Sequence, residues 1–166
     1  KKMGLEAMTA NIYSDSLTDN IELNDMGYLM ALTGNSDINM FAIKKFKDQF
    51  GENGSFRLVS GDEMNDPENN PKEGLFSHTD DFIKLMEASR LYPSIHEVEV
   101  NDKEHYEGLI EITKSDKNMV PIFLKTKNGD LKIIPSFSKE FEDIGEGSKL
   151  VYLGKIMESD KDNDDR

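Results

Sequence analysis

The sequence predicts a mixed α/β fold, with a small parallel sheet in its first part and an α+β region with a β-hairpin in its second. Up to residue 59, short apolar runs alternate with segments of helical spacing, a rhythm typical of parallel strands joined by helices. Residues 60–78 are rich in Asp, Asn and Pro and interrupt that rhythm. Asn128 and Gly129 then separate two apolar runs, which is a strong signal for a hairpin turn.

The first lobe begins with weak sequence signals for a strand and a helix and continues with a strong signal for a buried strand. Residues 6–12 are a candidate strand, and residues 14–24 carry spaced apolar positions that suggest a short helix. Residues 28–32, with the sequence Tyr-Leu-Met-Ala-Leu, are apolar without interruption, as expected of a strand that is buried on both faces. This strand is the best-defined element of the predicted parallel sheet.

A turn and a helix follow this strand. Thr33, Gly34 and Asn35 form the predicted turn, and the Asn35 side chain can cap the helix. Apolar residues then recur at helical spacing, at Ile38, Phe41, Ala42, Phe46 and Phe50. Gly51 is suited to end this helix, and residues 55–59 are the next candidate strand.

The second part predicts two helices and four strands. Thr79 can cap the first helix, Pro93 marks its end, and Asp102 can cap the second helix. Strands are expected at residues 95–100, 120–126, 131–134 and 149–154. The predicted divisions of the chain are a first lobe at 1–60, a linker or long loop at 61–78, an α+β C-terminal lobe at 79–156 and a disordered acidic tail at 157–166.

Composition restricts the classes of function. The net charge of −13 over 166 residues repels nucleic acid and anionic membrane surfaces. The chain has no Cys, so it has no disulfide, no thiolate metal site and no Cys nucleophile. Its apolar runs are far too short to span a bilayer. We therefore expect neither a nucleic-acid partner nor direct membrane insertion by this chain.

The sequence does not indicate a self-sufficient catalytic centre, and we expect no enzyme activity. His78, His96 and His105 lack the spacing of a zinc motif, so packed histidines are the preferred interpretation over metal ligands. Acidic clusters at residues 62–66 and 160–165 lack the glycine and the distal Glu of a calcium loop. We interpret both as solvated carboxylates and expect no metal site.

Thr33, Gly34 and Asn35 are the candidate binding residues. They follow a buried strand and open a helix, which is where parallel sheets bind ligands and where free backbone N–H groups attract anions. The alternative is an ordinary strand-to-helix turn. No glycine-rich phosphate-binding motif occurs anywhere in the chain, so both interpretations stay open.

The first lobe also resembles a known family. It is similar to the later half of the nucleotide-binding regulatory domain, of RCK or Trk type, that bacterial cation transporters carry. In particular it resembles the cytosolic C-terminal region of bacterial sodium/proton antiporters of the cation:proton antiporter superfamily. The resemblance lies in Ala31-Leu32-Thr33, Gly34-Asn35-Ser36, Asp37, Asn39, Phe50-Gly51 and Arg57-Leu58. Residues 120–124, 128–130 and 145–153 are similar to the small β-rich piece that ends such antiporters.

The resemblance implies a partial Rossmann-like first lobe and a regulatory role in sodium/proton exchange, at the cytoplasmic face of the inner membrane. It implies the transmembrane antiporter domain of the same polypeptide as partner. Thr33, Gly34 and Asn35 match positions near the ligand in the family. The glycine-rich turn that holds the nucleotide diphosphate there has no counterpart here. The cofactor therefore stays unknown, with a nucleotide in the full-length protein as one option, and we expect weak or no binding of NAD or ATP.

A homodimer is the expected assembly, built through the first lobe and including the helix that carries Phe41, Phe46 and Phe50. A sheet that lacks its first βαβ unit leaves strand edges unpaired and apolar surface bare, which favours association. The alternative function is a stand-alone α/β protein that binds a small ligand, or a fragment of a nucleotide-dependent enzyme.

Overall fold

The computed structural model describes residues 7–18, 26–51, 53–64, 71–76, 82–136, 141 and 144–157. These residues form a three-stranded parallel sheet, a four-stranded antiparallel sheet and the helices that connect and cover them. The predicted α/β class, with a parallel lobe before an α+β lobe, is therefore confirmed. Predicted features at Glu6, at residues 77–81 and in the tail after residue 157 lie outside the described residues.

The parallel sheet has the strand order β1-β2-β3. Its strands are β1 (Leu29–Ala31), β2 (Ser55–Leu58) and β3 (Gly74–Leu75), all parallel to one another. The helices α1 (Ser36–Lys45) and α2 (Lys47–Phe50) connect β1 to β2.

The apolar run at residues 28–32 does contain a parallel strand, but the expected burial on both faces is wrong: Tyr28 and Leu32 are 42% and 37% exposed, and Ala31 is the one buried residue of β1. Among the described residues β1 pairs on one side alone, with β2, which leaves it less covered than a central strand.

The start of the chain differs from the prediction. Residues 7–12 are not a strand, and residues 14–18 contain only one 3-10 turn, Asp15–Leu17, instead of the start of a longer helix. The segment packs against α1: the rings of Tyr13 and Phe41 lie 4.7 Å apart, and Lys45 Nζ donates to the Ser14 carbonyl oxygen at 2.6 Å. These contacts with α1, and not strand pairing, fix its conformation.

The predicted linker contains regular structure. The helix α3 (Gly61–Met64) follows β2 directly, and β3 comes later in the same segment. Leu75 and Phe76 are both buried. The described part of residues 61–78 thus adds a strand to the parallel sheet, while the division of the chain into domains stays a prediction.

The antiparallel sheet has the strand order β4-β7-β5-β6. Its strands are β4 (Ile95–Val100), β5 (Met119–Lys125), β6 (Leu131–Ile133) and β7 (Ser148–Gly154). The hairpin between β5 and β6 is confirmed: Thr126 N–H donates to the Asp130 carbonyl at 2.8 Å, and Gly129 has a φ of +90°. A positive φ is the conformation that glycine adopts at no steric cost.

Two helices belong to this second sheet, α4 (Phe82–Leu91) and α5 (Lys103–Ser115). Asp102 caps α5, because its side chain accepts from the His105 N–H at 2.8 Å. One buried cluster joins α5 to one face of the sheet and includes Tyr106, Leu109, Leu124, Leu150 and Tyr152. A second cluster unites both lobes and comprises Leu58, Leu75, Phe76, Ala88, Val120 and Ile133.

No helix among the described residues combines the length and apolarity needed to cross a membrane.

The two sheets also meet at one corner. Leu75 forms an antiparallel bridge with Pro135, and Ser136 N–H donates to the Gly74 carbonyl at 2.6 Å. The lobes therefore share backbone hydrogen bonds as well as a core.

One residue of the helix expected at the dimer surface lies in the interior of the chain instead: Phe46 is only 5% exposed.

Candidate functional site

The turn between β1 and α1 has the capping geometry that the sequence predicts. The Asn35 Oδ1 atom accepts from the Ile38 N–H at 3.0 Å, which satisfies one of the free donors at the start of α1. Thr33 Oγ1 accepts from the Asn35 N–H at 3.3 Å. The turn is thus held by its own side chains.

Asn39 connects this turn to the parallel sheet. Its side chain is 1% exposed, and both the oxygen and the nitrogen of its amide form hydrogen bonds. The Oδ1 atom accepts from the Thr33 N–H at 3.0 Å and from Thr33 Oγ1 at 2.7 Å. The Nδ2 atom donates to the carbonyls of Thr33 at 2.9 Å and Leu58 at 3.5 Å. Asn39 therefore joins the carboxyl ends of β1 and β2.

A buried cation lies beside this junction. Arg57, on β2, is 3% exposed and forms a two-pronged ion pair with Glu63 of α3: Nη2 to Oε1 is 2.7 Å and Nη1 to Oε2 is 3.2 Å. Its Nε atom donates to Glu73 Oε1 at 3.1 Å. Two carboxylates from either side of residues 65–70 thus neutralise one guanidinium, which is the geometry that Arg favours.

Two serines complete this network. The Glu63 Oε2 atom accepts from the Ser60 N–H at 2.9 Å and from Ser36 Oγ at 3.1 Å. In return, Glu63 N–H donates to Ser60 Oγ at 3.3 Å, so Ser60 and Glu63 form a capping box at the start of α3. Ser36 is the first residue of α1. The network therefore ties β2, α3 and the β1–α1 turn together.

The hydrogen bonds of this network favour the charged forms of Glu63 and Arg57. The hydrogen bond from Arg57 lowers the pKa of Glu63 from 4.5 to about 2, with the Ser60 N–H acting in the same direction against the effect of burial. Burial opposes the charge on Arg57, but its hydrogen bonds to Glu63 and Glu73 outweigh this and raise its pKa. Both groups are charged at neutral pH, so the ion pair is permanent under physiological conditions.

A small cavity opens above the network, at the carboxyl ends of β1 and β2. It offers about 130 Å³ and is lined by Thr33, Gly34, Ser36, Asn39, Leu58, Val59, Ser60, Gly61 and Phe82. Ligand pockets for drug-sized molecules usually measure about 300–1,000 Å³, so this cavity is sized for a small molecule or a part of a larger ligand. Phe82, the first residue of α4, lines the cavity from the second lobe and packs against the turn, since a Cβ on Gly34 would lie 3.1 Å from its ring.

The structure brings together two of the three candidate binding residues. Thr33 and Gly34 line the cavity, whereas Asn35 is not among its lining residues and serves as the cap of α1. Sequence reasoning did not identify the roles of Arg57 and Glu63. A charged residue within an apolar strand, and the Ser-x-x-Glu spacing of residues 60–63, were the available signals.

The described histidines make structural contacts. His96 Nε2 lies 3.1 Å from the Gly154 carbonyl oxygen, and its ring centroid is 5.3 Å from that of Tyr152. His105 Nδ1 accepts from the Asn101 N–H at 3.3 Å. His78 lies outside the described residues. Within the described ranges, no three His, Cys, Asp or Glu side chains are grouped so that they could hold a metal ion.

Comparison of this chain with protein families, with curated proteins and with solved structures finds no match. The class that fold and site define is an α/β module with two lobes that share a core. Its candidate site is a small, mostly apolar cavity with a few polar groups at the ends of two parallel strands, and Phe82 of the second lobe is among its lining residues.

Proposed function

We propose that this chain is a regulatory region of a monovalent cation/proton antiporter that exchanges sodium for protons, and that it has no catalytic chemistry of its own. It would act by changing conformation or pairing and so bias the attached transport domain. A ligand or ion can drive such a change only if it binds two states with different affinity.

The observation that carries the proposal is the joint placement of the residues on which the family resemblance rests. Asn39 bonds to Thr33 after β1 and to the Leu58 carbonyl of β2. Arg57 on β2 reaches Ser36 at the start of α1, with Nη1 and Oγ 3.4 Å apart. Residues from four separate parts of the resemblance thus build one polar junction, and this junction motivates the proposal.

The cavity offers a way for a bound molecule to couple the two lobes. Its walls come from the β1–α1 turn, from the start of α3 and from Phe82 of α4. A molecule that occupied it would contact both lobes, so its binding energy would depend on how α4 packs against the turn. Its walls are mostly apolar, and its polar residues Asn39 and Ser36 are already hydrogen bonded within the protein, so the cavity is suited to binding and not to nucleophilic attack.

The test is antiport by the complete polypeptide in inside-out membrane vesicles, followed with a fluorescent reporter of the proton gradient. Gly34→Val adds bulk between the turn and the Phe82 ring. The proposal predicts that this variant shifts the sodium concentration or the pH at which antiport is half-maximal. Removal of residues 1–166 should abolish that regulation while transport itself persists.

Gly145→Val is the matched control. A Cβ at Gly145 meets nothing within 4 Å, and Gly145 does not line the cavity, so antiport should keep its normal profile. Equal profiles for the wild type, Gly34→Val and the deletion would contradict the proposal. If the 166-residue chain bound a small molecule in the cavity without any attached transport domain, this result would favour the alternative, a stand-alone binding protein.

A further inference from the structure

A second cavity lies at the opposite end of the parallel sheet from the candidate site. It offers about 380 Å³, which is within the usual range of about 300–1,000 Å³ for small-molecule pockets. Ser55 begins β2, and Lys72 and Glu73 directly precede β3, so the cavity lies at the amino ends of these two strands. Its lining residues are Ile43, Lys47, Gly51, Asn53, Ser55, Phe56, Lys72 and Glu73.

The second cavity has an apolar part. Ile43 of α1 and Phe56 of β2 contribute to its lining, and both are half-buried. The Phe56 ring lies 5.9 Å from the ring of Tyr28 in an edge-to-face contact, which supports it from within the protein. Apolar surface of this kind favours a ligand with a hydrocarbon or aromatic body.

The second cavity also carries positive charge in a strongly acidic chain. Lys47, the first residue of α2, and Lys72 line it from separate segments, and both are exposed. The whole chain has 20 Lys and Arg against 33 Asp and Glu, so this balance is the reverse of the average. Glu73 is the one acidic residue among the described lining residues, and its Oε1 atom already accepts from Arg57 Nε at 3.1 Å. The described lining therefore favours an anion over a cation.

The neutral polar groups of the lining are compatible with an anion. The backbone carbonyl of Gly51 would repel a negative charge, but it accepts from Ser55 Oγ at 3.0 Å. Asn53 is exposed at the same cavity, and its side-chain amide can donate two hydrogen bonds. The lining thus combines cationic and neutral donors with an apolar surface.

We infer that the second cavity is a binding site for a small organic anion with an apolar body. The anionic group pairs with Lys47 and Lys72, and the apolar body packs against Ile43 and Phe56. This inference does not depend on the proposed function, because it concerns the other end of the sheet and is tested on the 166-residue chain without a transport domain.

Glu73 connects the second cavity to the candidate site. Its side chain lines the second cavity and accepts from Arg57 Nε. Arg57 in turn donates to Glu63 at 2.7 Å and lies 3.4 Å from Ser36 Oγ, and Ser36 lines the cavity of the candidate site. An anion bound next to Glu73 changes the electrostatic field at Arg57. Occupancy of the second cavity should therefore be detectable at Ser36.

The first experiment titrates the isotope-labelled 166-residue chain with benzoate and follows the backbone amides by NMR. We expect saturable shifts at Gly51, Ser55 and Phe56, and smaller shifts at Ser36. Benzyl alcohol keeps the ring but has no charge, and inorganic phosphate has charge but no apolar body, so each should bind more weakly than benzoate. Added salt should weaken the binding of benzoate, because it screens the lysine charges.

The second experiment assigns the binding to the two lysines. Lys47→Met and Lys72→Met keep an apolar stem and remove the charge. Each should weaken benzoate binding by up to about fivefold, as expected for the loss of a solvent-exposed ion pair. Lys117→Met, at an exposed position outside the lining, should leave binding unchanged. The amide spectra show whether each variant is folded.

Three results would overturn the inferred site: no saturable shifts at the lining residues, binding of benzyl alcohol as tight as that of benzoate, or unchanged benzoate binding in the Lys47→Met, Lys72→Met double variant. Saturable shifts at the lining residues with none at Ser36 would overturn the connection through Glu73.

Discussion

Replacement of Glu63 by Gln removes one charge from the Arg57 network and leaves its shape almost unchanged. Gln can still accept from the Ser60 N–H, because Gln also serves in capping boxes. Of its two charged partners among the described residues, Arg57 would keep Glu73, at 3.1 Å. The variant therefore isolates the electrostatic contribution of Glu63.

The magnitude follows from the pKa of Glu63. Its depression from 4.5 to about 2 corresponds to about 3 kcal/mol at about 1.4 kcal/mol per pKa unit. The Glu63 side chain is 29% exposed, and solvent screening reduces the value to about 2 kcal/mol. We expect Glu63→Gln to lower the free energy of unfolding at pH 7 by this amount.

The dependence on pH sharpens the prediction. A carboxylate with a lowered pKa contributes stability that is present above its unfolded pKa and is lost as the pH falls through its folded pKa. The difference in unfolding free energy between wild type and Glu63→Gln should therefore shrink between about pH 5 and about pH 2 and vanish below that. Urea unfolding, followed by circular dichroism at several pH values, measures this difference.

Glu97→Gln is the control, because Glu97 is also ion-paired but is 38% exposed. Its ion pairs with Lys125 and Lys149 lie at the surface, where such pairs contribute about 0–1 kcal/mol. The reasoning is refuted if Glu63→Gln is no more destabilising than Glu97→Gln at pH 7. It is also refuted if the loss caused by Glu63→Gln does not change with pH.

Four other substitutions test the structure. Asn39→Leu leaves the strand-end groups that its amide satisfies without partners, and thermal unfolding should show a loss of about 2–4 kcal/mol. Gly154→Ala combines a φ of +136° with an overlap between the new Cβ and the Asn118 carbonyl. It should cost more than about 2 kcal/mol, whereas Gly129→Ala, at φ +90° in open space, should cost about 1 kcal/mol. Asp102→Ala removes the cap of α5, and chemical denaturation should show a loss of about 1 kcal/mol.

The elements that sequence reasoning predicted correctly are those whose signals are local. The apolar run at residues 28–32 became β1, Asn35 became the cap of α1, and Asn128 with Gly129 became a hairpin turn. Each depends on backbone preferences or side-chain bonds within a few residues. Such signals can be recognised in the sequence without knowledge of the rest of the fold.

The features that were missed depend on distant contacts. Residues 7–12 do not pair as a strand, and the segment contacts α1 through the rings of Tyr13 and Phe41 instead. β3 has only two residues, in a stretch rich in Pro and Asn, and exists because β2 offers it an edge. The Ser-x-x-Glu spacing of residues 60–63 is a local signal for the cap of α3, but the approach of Glu63 and Glu73 to Arg57 depends on the packing of their segments against β2.

The measurement that tests the proposed function most directly is an immunoblot of fractionated cells with an antibody raised against this chain. The proposal predicts a membrane-bound polypeptide much larger than these 166 residues, which stays in the membrane after an alkaline wash. A band of about the size of the 166-residue chain, recovered only in the soluble fraction, would contradict it.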